Sequence, residues 1–275
     1  MRIYKFSNIL AIPFVIALVF FIYLLIQDTH DLRVAYAIIP LTLLVLIYLF
    51  QPQIDFWWLS RKPIPLEESM VKLLERTNTF YRTLPPEQKA EFDKHLILYI
   101  NGRSFMAKGM ESDNTPPYDV QIMIAQIPTT LNFSSQDYLF KPYERIILYK
   151  HAFPSPIHKF LHTFEIHEED GVVIVSLEHA EAAFFNPQQF YNVAWHAFAQ
   201  AYILKHNWRP LDANDENVWR VIAQNTSFTK DYISKTLGFE EVDLSAVLIT
   251  LYFTVGQMLE SILPELHKTI QKRFS

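Results

Sequence analysis

None of the 275 residues is cysteine. Disulfides, thiol nucleophiles and thiolate metal sites are thereby excluded, while every cellular compartment stays open. Glycine is scarce, with five in the chain. Neither GxxxxGK[ST] nor GxGxxG occurs, so a phosphate-cradling loop is excluded. No G-x-S-x-G nucleophile elbow occurs either. Basic charge is also short: the net charge of −5 argues against a nucleic-acid surface, which is normally basic, so no nucleic-acid partner is expected. No internal repeat and no low-complexity tract interrupts the chain.

What is plentiful is apolar residues, half of the total. The length allows one large domain or two smaller units. Ile9 to Ile26 form an uncharged apolar run broken only by Pro13. A polar turn from Gln27 to Arg33 separates it from a second run, Val34 to Phe50. Each is close to the ~20 residues that span a bilayer core, the second slightly short. A signal peptide fits less well, because no A-x-A-like site follows and a second run comes at once. Two buried core helices are the plainer alternative. Residues 1–50 are therefore expected to form a transmembrane helical hairpin, 51–65 an interfacial linker and 66–275 a separate domain. Arg2 and Lys5 precede the first run and Arg61 and Lys62 follow the second, which predicts both termini in the cytoplasm. Trp57 and Trp58 suit the headgroup layer. Lys62-Pro63-Ile64-Pro65 reads as a stiff linker.

Beyond it, helices are expected over Glu67–Arg82, Pro86–Tyr99, Pro187–Lys205, around Val218–Ile222, over Asp243–Glu260 and over Pro264–Phe274. Arg145–Tyr149 and Gly171–Ser176 are short and β-branched, hence strands, the second after a turn at Glu169-Asp170-Gly171. Residues 117–131 fit helix and strand alike. Dominant helices with a small mixed sheet predict an α+β domain.

The most informative segment is Trp195-His196-Ala197-Phe198-Ala199-Gln200. It reads like the H-E-x-x-H helix of a zinc peptidase, in which two histidines one turn apart bind zinc and the glutamate is the general base. Here the first histidine is kept, alanine stands for the glutamate and glutamine for the second histidine. Other stretches carry the same likeness in the same order. They are Leu84–Lys89, Asn101–Phe105, Val120–Ala125, Tyr143–Tyr149 with Phe153, Gly171–Ser176, Tyr191–Gln200, Pro210 with Leu211, Trp219, and Pro264–His267. Together they resemble the Mlc titration factor A (MtfA) family of glucose-regulated zinc metallopeptidases over most of residues 70–275. The resemblance implies a zincin-like fold; the two expected transmembrane helices lie outside it, and with them the chain is expected at the inner (cytoplasmic) membrane of a bacterium. The resemblance also implies metal positions at His196, Gln200 and Asp243 and the general-base position at Ala197.

Those departures have a chemical cost. Gln offers only a neutral amide oxygen where zinc prefers imidazole, thiolate or carboxylate. Ala197 cannot take a proton, and loss of a general base alone costs ~10²–10⁴ in rate. The expectation is a member without catalytic residues and without a cofactor, binding a peptide or protein by strand addition beside Val173 and Val175. The alternative is an active metallopeptidase with non-standard zinc ligands; a purely structural membrane protein is a third reading. In plain structural terms, His196 is a buried hydrogen-bonded histidine and Asp243 a helix N-cap. His206, the group Glu178, His179 and Glu181, and the group His158, His162 and His167 show no ligand spacing. The last group is expected in a loop.

Overall fold

The computed structural model describes residues 5–27, 31–109, 115–135, 137–211 and 215–274. Arg2 and residues 28–30, on which the expected orientation partly rests, lie outside them. The chain divides into two compact units, Met1–Ile64 and Pro65–Ser275.

The first unit holds α1 (Phe6–Gln27), α2 (Asp31–Leu49) and α3 (Gln51–Arg61). α1 is long and apolar enough to cross a membrane, and none of its apolar window is buried. Of the second apolar run, the described stretch Tyr36–Leu49 passes the same test together with α3, from which it is bent by 70°. The break has a local cause. Pro52, in the first turn of α3, has no N–H for the preceding helical turn. The expected linker is therefore helical over much of its length. Asp55 of α3 caps α1, accepting from Ser7 N at 2.8 Å and from Ser7 Oγ at 2.9 Å. Phe6 stacks on Trp58 at 3.9 Å.

The second unit begins with α4 (Glu68–Thr77), α5 (Thr79–Thr83), α6 (Pro86–Gly102), β1 (Ser104–Lys108), α7 (Tyr118–Leu131), β2 (Arg145–Tyr149), β3 (Phe164–His167) and β4 (Val172–Ser176). It continues with α8 (Leu177–Phe185), α9 (Val193–His206), α10 (Glu216–Asn225), α11 (Lys230–Leu237), α12 (Leu244–Ile262) and α13 (Pro264–Phe274). The expected Glu67–Arg82 helix is split at buried Asn78, whose side chain accepts from Tyr81 N and restarts the chain as α5. Residues 117–131 resolve as helix, and nearly every residue of α7 is buried.

The four strands are ordered β1-β2-β4-β3. β1, β2 and β4 run parallel, and β3 closes one side antiparallel to β4. Gly171 makes the β3–β4 turn at φ +63°, where a Cβ would meet Pro142 O at 2.6 Å, so only glycine fits. α9 is the central helix, buried almost all round and packed between the β3–β4 side of the sheet and α12. It starts at Val193, later than expected. Asn192 caps it, accepting from Ala194 N and Trp195 N at 3.1 Å each, and residues 187–192 lead in without regular helix. Trp195 stacks on Phe253 of α12 at 4.8 Å. α12 is apolar enough to count as a span by composition, but half of it is buried inside this unit.

Candidate functional site at the edge of the sheet

Position in α9 decides what each motif residue faces. His196, Gln200 and Leu204 recur every four residues on one face and line a cavity of about 590 Å³. Ala197 is turned into the core and does not line it. β3 supplies Phe164, Glu165 and Ile166, and the loop before it supplies Ile157 and His158. The segments before α10 and α12 supply Arg209, Glu241 and Asp243. The three degenerate metal positions thus converge on one cavity, although Asp243 is far from His196 in sequence.

His196 is 1% exposed. Burial pushes its pKa down to about 3, so the ring is neutral at physiological pH. Its Nδ1 lies 2.7 Å from Tyr191 Oη. That contact uses Nδ1; His196 Nε2 has no hydrogen-bond partner among the described residues, and the His196 side chain lines the cavity.

Asp243 caps α12, accepting from Ser245 N at 2.9 Å. Its other oxygen takes an N–H from Arg209 Nη1 at 2.8 Å. A zinc ion does not fit this set. The donors are one imidazole, one neutral amide and a carboxylate already held by a guanidinium, beside which a dication would be repelled. Among the described residues, no three His, Asp or Glu side chains are arranged to hold a metal ion.

Val173 and Val175 need correction. Both are fully buried, and β4 is paired on both sides, to β2 and β3. No strand can add there; β3 is the edge of the sheet on the cavity side. His167 belongs to β3, not to a loop, and His158 lines the cavity. His206 packs on Tyr202 away from the cavity, and Glu178 pairs with His151. Reading the sequence missed Glu165, Arg209 and Tyr191. The alternation Phe164-Glu165-Ile166-His167 was a signal for β3 and hence for Glu165. A single Arg in a loop carries no such signal.

Sheet, buried histidine helix and edge cavity together define an α+β domain. Residues 55–202, more than half of the chain, match the model of the glucose-regulated metallopeptidase family M90, and the chain belongs to that family. The match includes His196–Gln200 and ends at Tyr202, so Arg209 and Asp243 lie beyond it. No curated protein and no solved structure matches the chain.

Proposed function

We propose that this chain is a membrane-anchored, catalytically silent member of its family that holds a peptide or protein segment in the cavity beside β3. It does so at the cytoplasmic face of a bacterial inner membrane, with both termini in the cytoplasm. The observation that carries the reading is the Arg209–Asp243 ion pair lying in one cavity with His196 and Gln200. An internal guanidinium answers the carboxylate that a metal would need, and Ala197 leaves no general base. What persists is a sheet edge beside a cavity, which suits an extended chain added as a strand.

The test uses the full chain in lipid nanodiscs, offered zinc and then washed. Elemental mass spectrometry is expected to find far less than stoichiometric zinc, and peptides that bind are expected to be recovered uncut. Near-stoichiometric zinc together with peptide hydrolysis would overturn the reading in favour of an active metallopeptidase with non-standard ligands.

A further inference from the structure

The lining of this cavity indicates which peptide it takes, given the peptide-binding reading above. Asp243 is matched by Arg209. Two more carboxylates, Glu165 and Glu241, line the same space. Glu165 is 6% exposed; Ser155 Oγ donates to it at 3.2 Å, and His167 Nε2 and His162 Nε2 stand 3.3 and 3.4 Å away. Glu241 is exposed.

His196 is an independent pointer. Its ring is almost wholly buried, Nδ1 is used by Tyr191, and Nε2 has no hydrogen-bond partner among the described residues. One turn on, Gln200 adds an amide oxygen. The cavity thus holds acceptors and an excess of negative charge, and its complement is a cationic donor.

The apolar walls refine this. Phe164, Leu211 and Phe239 line the cavity and suit an aliphatic stem. The adjoining loop exposes Ile157 (66%), Phe160 (49%) and Leu161 (65%), an apolar rim beside a polar floor. The cavity volume of about 590 Å³ is ample for one long side chain and adjoining backbone.

We propose that the site selects an extended peptide that inserts a lysine or arginine side chain, its cation held by Glu165 and Glu241, with apolar neighbours on the Ile157–Leu161 loop. The full chain in phosphatidylcholine nanodiscs is titrated against fluorescein-labelled heptapeptides, with empty discs as blank. The peptides carry valine and alanine around a central lysine, acetyl-lysine or glutamate. The lysine peptide is expected to bind at least about tenfold more tightly than either other. Glu165→Gln is expected to reduce that preference to about threefold or less. Because Glu165 is buried, Glu241→Gln at an exposed position is run beside it and is expected to weaken lysine binding in the same direction. Equal affinity for all three peptides, or an undiminished lysine preference in both variants, overturns the basic-residue specificity and leaves peptide binding standing. No binding by any of the three overturns the peptide-binding reading, and the specificity with it.

Discussion

α1 and α12 both pass the same test of length and apolarity for crossing a membrane, yet they are placed in opposite ways. None of the apolar window of α1 is buried, and Ile16, Val19 and Phe20 point outward. Half of the window of α12 is buried, with Val247, Leu248 and Ile249 fully enclosed. The difference lies in where polar atoms fall. α1 carries no Ser, Thr or charged residue after Ser7. α12 carries Ser245, Thr250 and Thr254, whose hydroxyls bond Leu211, Ala246 and Thr250 carbonyls. A helix can be apolar because lipid surrounds it or because protein does, and the pattern of its few polar atoms separates the two.

The sharpest way to break this comparison is the same substitution in both helices. Val247→Asp puts a carboxylate into a fully buried site with no basic partner. It is expected to destabilise the second unit by more than about 4 kcal/mol, read as loss of the cooperative urea transition in tryptophan fluorescence.

Next in size is a pH effect at His196, where α9 meets β3. Buried His196 is neutral with a pKa near 3, against about 6.5 for an unfolded histidine. Below 6.5 the unfolded chain takes up a proton that the folded chain refuses. The stability from this depressed pKa is therefore fully present above pH 6.5 and is lost as pH falls from 6.5 towards 3. The expected slope is about 1.4 kcal/mol per pH unit in that window, up to about 5 kcal/mol in all. Urea midpoints against pH should show it, and His196→Asn should flatten that part of the profile. An unchanged profile in the variant would mean that other groups carry the acid sensitivity.

Val19→Asp in α1 completes the pair. Val19 is exposed, so the fold of the second unit should be untouched, while insertion into a bilayer becomes about 3 kcal/mol less favourable. Membrane fractionation is expected to show reduced membrane-bound chain with an unaltered urea transition. If Val19→Asp instead abolishes that transition, α1 supports the fold directly and the contrast with α12 fails.

The same contrast explains what the sequence disclosed. α1 was legible because an unbroken apolar run needs no tertiary information. The site was legible in part: His196 and Gln200 share a face by four-residue spacing, and Asp243 before an apolar run marks a helix start. β3 escaped notice because its alternation, though present, runs over four residues only and is a weak signal. The sheet edge was therefore placed on Val173 and Val175, whose burial on both faces depends on neighbours far along the chain. Arg209 was invisible because its role rests on one contact to a residue 34 positions away.

The first turns of the two helices supply the smallest test. Both are closed by an aspartate: Asp55 from a neighbouring helix caps α1, and Asp243 caps α12. Asp243 differs in also holding Arg209 inside a cavity with His196. Arg209 is nearly half exposed, so its pair with Asp243 adds little stability, under about 1 kcal/mol. Its consequence is local: it sets the charge of a site that would otherwise offer a carboxylate. Gln200→His restores a second imidazole on the cavity face, but with Arg209 in place it is expected to leave zinc affinity unchanged. Gln200→His combined with Arg209→Ala is expected to gain at least about tenfold, because the carboxylate then meets two imidazoles without a competing cation. Isothermal titration with zinc measures both. A gain in the single variant would show that the guanidinium yields to the metal, and the ion pair would then be a cap ornament of α12 rather than the feature that keeps the site metal-free.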